Sequence, residues 1–349
     1  MTALTEAQSA TASRDIVHRY YLAMAVPFAI DFATSVVYAG INGDLHVLVP
    51  MMAISAAFLL LGVGVGAFWL IRPVTRFLAN EIPFIEVESR VAHLPRRSAI
   101  LLGCLYAPML ALRLLSARIG ITFGATIEVA AWIDTVATFF VVTSFNIVLT
   151  YFVVSAYLDG LCGFLFQHRG VNIGTFPGAF RRKIGLAVLF VSFAAMTLLA
   201  GDILSYSGDR LLREATVDVT ASVVGAATIY YWITRALTRP IARLDIGMRR
   251  VADNDLSTHL PVTSDDEIGR ATSGFNQMVE GLAEREYLRD TFGKYVSESV
   301  AAAILGDRER SGRVADRAGV ATLMFTDIEG FTGLSERVSP ADLASILNT

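Results

Sequence analysis

Residues 237–256, "LTRPIARLDIGMRRVADNDL", mark the point at which the chain changes character. Within them Ile241, Leu244, Met248 and Val251 recur at spacings of 3, 4 and 3 among charged residues, the period of a helix with one narrow apolar seam. A second stretch, 266–282, "DEIGRATSGFNQMVEGL", repeats the pattern through Ile268, Ala271, Phe275, Met278 and Leu282. The segment between them, "NDLSTHLPVTS", is too long for a tight antiparallel turn and carries Leu256, Leu260 and Val262, so it can run back along the first helix and leave a parallel pair. So narrow a seam buries little area within one chain, and a homodimer is the economical way to cover it.

Everything upstream is apolar. Hydrophobic residues make up 54% of the 349 residues and charged residues 17%, with a mean hydropathy of +0.53, a balance that calls for membrane spans. Lys plus Arg number 29 against 32 Asp plus Glu, and the net charge of -3 gives no sign of a nucleic-acid partner. The two cysteines, Cys104 and Cys162, lack metal-ligand spacing and read as small buried residues.

Six runs are long enough to cross a bilayer as helices: 20–41, 46–71, 98–115, 129–158, 184–206 and 217–237. Residues 1–19 read as a cytoplasmic tail, its first 13 residues small, polar and disordered. Basic residues set the orientation. The tail carries Arg14 and Arg19; the loop after the second run carries Arg72, Arg76, Arg90, Arg96 and Arg97; the loop after the fourth carries Arg169, Arg181, Arg182 and Lys183. The other loops hold none, Arg118, and Arg210 with Arg213. A multi-pass protein of the plasma membrane with both termini in the cytoplasm is expected. Asp31, Arg113 and Asp134 stand out inside the runs, where a charge needs a partner or a water-filled cavity. An ion pair of Arg113 with Asp31 or Asp134 is one reading, and a ligand pocket or ion path is the other.

Pro240 just past a span, with Asp266, Glu267, Ile268 and Gly269 opening the second helix, resembles the HAMP domain of bacterial transmembrane receptors, over 238–289. The resemblance implies signal relay and leaves the output open. The seam slips near Ala283, because Leu288, Phe292 and Tyr295 resume the spacing out of phase with Leu282. A linker helix is expected over 290–316.

The last segment, 317–349, contains "GVATLMFTDIEGFTGL". The β-branched and apolar residues from Val320 to Phe325 read as a buried strand, with Asp327 at its end and "FTGLSERV" opening a helix. A carboxylate for a hard cation beside a helix start for phosphate suits a nucleoside triphosphate with magnesium. With "RDTFGKYVSESVAAAIL" upstream, this motif resembles the opening of the class III nucleotidyl cyclase domain, particularly of the membrane-bound, HAMP-linked adenylate cyclases of actinobacteria. The resemblance implies the following. Asp327 binds both catalytic Mg2+ or Mn2+ ions, two per site in the complete enzyme, and Ile328 offers a backbone carbonyl to one of them. Gly330, Phe331 and Thr332 lie against the triphosphate of ATP. The fold would be mostly α: a six-helix transmembrane bundle, a parallel HAMP coiled coil, and the first strand and helices of an α+β ferredoxin-like domain. The second metal-binding aspartate and the purine-selecting and transition-state residues belong to positions past Thr349, so this stretch by itself is expected to make no cyclic nucleotide. A non-enzymatic HAMP receptor or regulator is the alternative, and a cyclic GMP product is a weaker variant. The short outer loops suit a membrane lipid or small lipophilic stimulus.

Overall fold

The computed structural model describes residues 6–42, 45–119, 131–295, 322 and 324–347. They are almost wholly helical. The chain divides into two units, 1–285 and 286–349.

The first unit contains α1 (Glu6–Asn42), α2 (Leu45–Leu78), α3 (Phe84–Ala92), α4 (Leu94–Ile119), α5 (Ala131–Arg169), α6 (Phe180–Ser205), α7 (Gly208–Ala252) and most of α8 (Glu267–Tyr295). Where described, the six apolar runs fall within α1, α2, α4, α5, α6 and α7, Tyr206 closing α6 as its cap. Among the described residues three stretches, Arg14–Val37, Ile133–Arg169 and Phe180–Ser205, are long and apolar enough to cross a membrane. The expected disorder of the first 13 residues is corrected over 6–13, where α1 has begun and Ala7, Ala10 and Ala12 favour helix; residues 1–5 lie outside the described residues.

α5 is the hub, packing against α1, α4, α6 and α7. Its Leu158, Leu161 and Leu165 join Tyr20 and Met24 of α1, Ile71 of α2 and Leu102 of α4 in the principal core. Buried hydroxyls are paired inside it: Tyr20 shares a 2.8 Å hydrogen bond with Ser98, and the Tyr157 hydroxyl donates to the Ile16 carbonyl. The outward faces carry Trp69, Phe140, Phe193, Met196 and Val223, each more than half exposed. A bundle apolar both inside and out is suited to lipid. Cys162 is buried as expected, whereas Cys104 is exposed and joins that outer face.

α7 is a single helix of 45 residues that continues through Pro240, itself buried. Proline in a helix interior removes one backbone hydrogen bond. Beyond α7 the segment 253–266 folds back. Its Leu260 touches Gly247 of α7, and its backbone N–H and carbonyl both bond the side-chain amide of Asn276 in α8. The start of the next helix lies beside Ala236 and Leu237, since Asp265 lines one cleft with them. Ten residues down α7 and nine down α8 therefore reach the same level, and the two helices run parallel, as the spacing of their seams anticipates. Phe275 and Val279 are buried within the chain, while Ile241, Met248, Met278 and Leu282 remain exposed.

In the second unit, α9 (Phe331–Ser335) and α10 (Pro340–Leu347) follow the end of α8. Ser339 caps α10 reciprocally, its hydroxyl donating to the Asp342 carboxylate while the Asp342 N–H returns to it, with Pro340 at the first helical position. The expected strand over 320–325 is not found. Residues 320, 321 and 323 lie outside the described residues, and 322, 324 and 325 carry no regular structure. A strand exists only through a neighbour to pair with, and the described residues offer none. The linker over 290–316 is helical to Tyr295, and its remainder lies outside the described residues.

Candidate functional site

The site that the first unit builds is the junction where the helix bundle meets the folded-back segment. Its centre is Lys183, on the first turns of α6. The ammonium bonds both Asp265 and, at 2.7 Å, Asp266. The lysine side chain is 9% exposed and Asp266 fully buried. A buried charge is tolerable only when every lone pair finds a donor. Asp266 meets that condition, since its other oxygen accepts from the Ser264 hydroxyl at 2.6 Å and from the Ile268 N–H at 3.0 Å. The last bond caps α8, so the residue that starts the relay helix also holds it to the bundle. Burial pushes this carboxyl upward, but the Lys183 charge and these donors outweigh it and hold it below the usual carboxylate value.

The loop 170–179 between α5 and α6 closes over the same segment. Gly170 ends α5 at φ 65°, the left-handed turn that glycine makes without strain. Beyond it, Asn172 accepts from the Val262 N–H at 2.9 Å, the Gly178 N–H donates to the Asp265 carbonyl, and the Phe180 N–H donates to the Glu267 carboxylate. The Gly174 N–H reaches Glu88 of α3. Gly269 sits so close that a Cβ would stand 1.8 Å from the Ser264 carbonyl oxygen and 3.0 Å from Phe176, which no side-chain rotation relieves. Arg243 of α7 grips Asp159 of α5 with both terminal guanidinium nitrogens, at 2.6 and 2.8 Å. The bundle helices α6 and α5 are thus each tied by a charge to one member of the relay pair, α6 to the start of α8 and α5 to α7.

The residues that the sequence singles out elsewhere fall differently. Asp327 is exposed, and one of its oxygens accepts the N–H of Ile328 at 2.9 Å. Gly330 adopts φ 73° and leads into α9, which begins with Phe331 and Thr332. The five residues lie within 327–332 around one turn, and among the described residues Asp327 belongs to no group of three or more carboxylate, cysteine or histidine ligands. Asp31 accepts from the Tyr106 hydroxyl at 3.3 Å and Asp134 from the Tyr206 hydroxyl at 2.9 Å. The side chain of Arg113 lies outside the described residues. Asp202 and Asp218, which also stand inside apolar runs, gather beside Asp134. Charge inside an apolar run was the signal that could have found them, but nothing in the sequence pairs one run with another.

Residues 232–284 match the HAMP domain family. Among curated proteins the chain is similar to the uncharacterized protein Rv1318c of Mycobacterium tuberculosis (strain ATCC 25618 / H37Rv), 42% identical over 121 residues, which are 34% of this chain and 22% of that protein. It is similar also to the uncharacterized proteins Rv1320c and Rv1319c of the same strain. The first is 40% identical over 121 residues, 34% of this chain and 21% of that protein; the second is 34% identical over 134 residues, 38% of this chain and 24% of that protein. The chain spans between a fifth and a quarter of the length of these relatives. No solved structure matches it significantly. The chain therefore carries a HAMP relay next to apolar helices, the arrangement of a membrane-associated signalling protein.

Proposed function

We propose that this chain is the sensing and relay portion of a homodimeric six-span receptor whose output is a class III adenylate cyclase. The observation that carries the relay reading is the junction: the HAMP segment is fastened to the bundle through Lys183, Asp266 and the 170–179 loop. The orientation draws on the same geometry. Glu88, between the second and third spans, and Asn172, after the fourth, both reach the side where the HAMP lies. Those are the arginine-rich loops, so N and C termini in the cytoplasm accord with the basic-residue rule. Exposed Ile241, Met248, Met278 and Leu282 are the surface that a second chain would cover.

The cyclase reading rests on the resemblance of residues 323–334 and of the segment before them. In the complete enzyme the ribose 3'-hydroxyl attacks the α-phosphorus of ATP and pyrophosphate leaves. Magnesium or manganese would supply charge neutralisation and activate the hydroxyl. Asp327 would give a carboxylate to both ions, Ile328 its carbonyl, and Gly330, Phe331 and Thr332 the wall against the triphosphate. The exposed Asp327 and the left-handed turn at Gly330 fit that role. A small lipophilic molecule or membrane lipid is the stimulus that the short outer loops favour.

The test is made on the protein carrying the whole cyclase domain. Wild type should convert ATP to cyclic AMP, and Asp327→Ala should abolish conversion without loss of membrane insertion. Activity within about tenfold of wild type in the variant removes the metal role. Inactive wild type would favour a non-enzymatic regulator instead, and cyclic GMP from GTP would move the reading to the other purine.

A further inference from the structure

The end of α6 far from Lys183 carries a second charged centre. Asp134 of α5, Asp202 of α6 and Asp218 of α7 each present a carboxylate oxygen, and the three oxygens lie within 4.8 Å of one another. Asp202 is 1% exposed, and its Oδ2 is buried without any hydrogen-bond partner. Among the described residues no basic side chain comes within ion-pairing distance of the three. Three carboxylates so placed in apolar surroundings repel one another when ionised, and either shared protons or a cation between them relieves that.

The surroundings are arranged as for ligands. The Tyr206 hydroxyl donates to Asp134 Oδ2 at 2.9 Å, and the Thr138 hydroxyl approaches Oδ1 at 3.4 Å, so Asp134 is oriented by a second layer of donors. Gly201, one residue before Asp202, lets the helices close: a Cβ there would meet Asp134 Cα at 3.4 Å and Ala137 Cβ at 3.2 Å. Arg210 lies over the Tyr206 ring at 4.6 Å, holding the phenol from its other side. Oxygens on one hard divalent cation at about 2.3–2.6 Å stand no more than about 5 Å apart, which is the spread found here. All-carboxylate donors select calcium, magnesium or manganese over softer metals.

We infer that Asp134, Asp202 and Asp218 form a binding site for one hard divalent cation, joining α5, α6 and α7 at the end of the bundle opposite the HAMP junction. A cation there draws together the three helices whose other ends carry Asp159, Lys183 and Arg243. On the orientation proposed above the site faces the outside of the cell; that clause rests on the receptor reading, whereas binding itself does not.

The experiment uses the full chain in lipid nanodiscs with Asp327→Ala built in, which keeps the cyclase reading out of the measurement. Terbium, a luminescent stand-in for calcium, is titrated with excitation of tyrosine, and calcium is then used to displace it. Saturable binding of one ion per chain is expected, with affinity lowered at least tenfold in Asp202→Asn and in Asp218→Asn, and unchanged in Asp31→Asn, an intramembrane aspartate outside the cluster. Tyr206→Phe should dim the signal and weaken binding less than the carboxamides do. Should Asp202→Asn fail to insert, the variant of the half-buried Asp218, Asp218→Asn, carries the comparison alone. No binding by wild type at millimolar calcium or terbium, or equal binding by the Asp218 and Asp31 variants, overturns the site and leaves the carboxylates sharing protons.

Discussion

Lys183 and Asp266 stand 83 positions apart in the chain and meet in a buried contact. Removing one partner leaves the other charge buried and unpaired, which costs about 3–5 kcal/mol. Lys183→Met should therefore release the loop 170–179, seen as faster hydrogen exchange at the Phe180 and Ile268 amides. Asp266→Asn keeps an oxygen to cap α8 and should do less. In a double-mutant cycle the two must couple strongly; a coupling under about 0.5 kcal/mol would mean that they act apart. The pH dependence follows from the direction of the shift. Asp266 is held below its usual value of 3.8, so its contribution is complete above that pH and is lost only as pH falls below it. Protection factors at the junction, exchange being corrected for its intrinsic rise with pH, should be flat from pH 5 to 8; a fall in protection within that range would assign the effect to another group. Asp266, Glu267 and Gly269 were legible from sequence because their spacing is local. Lys183 was read only as one basic residue in a loop, since a contact across 83 positions leaves no mark on periodicity.

At the scale of the helix, the seam was legible and its surroundings were not. The 3 and 4 spacing marks α7 and α8 as amphipathic, and both form, in parallel. What spacing does not distinguish is which seam residue is covered by the chain's own connector and which waits for a partner. Phe275 is 4% exposed and Met278, one turn on, 49%. A homodimer should cover the latter. Cysteines at Met248 and Met278 are expected to form disulfides between copies in native membranes under mild oxidation, and a cysteine at Arg249, on the outward face, to form few. Equal cross-linking at 249 and 278 would place the dimer contact elsewhere. The terminal strand expected from sequence is not seen among the described residues, for a related reason. Residues 320–325 have the composition of a strand, but composition states only that a segment suits a sheet, and Phe325 is 91% exposed with no strand beside it among the described residues.

The whole molecule places one charged centre at each end of the α5, α6 and α7 group. Its direction in the membrane can be checked simply: cysteines at Asn42 and Asp209 should react with impermeant reagents added to intact cells, and one at Arg90 should not. Labelling at Arg90 would invert the topology. The long helix α7 then has a mechanical meaning. From Asp218 to Pro240 it spans roughly 33 Å, and from Pro240 to Ala252 roughly 18 Å. Near the proline it is pinned to α5 by Arg243 and Asp159. A rod pinned between unequal arms is a lever: a sideways tilt of about 2 Å at the outer arm arrives at the inner tip as about 1 Å in the opposite direction, the gearing being set by where Pro240 falls along the rod.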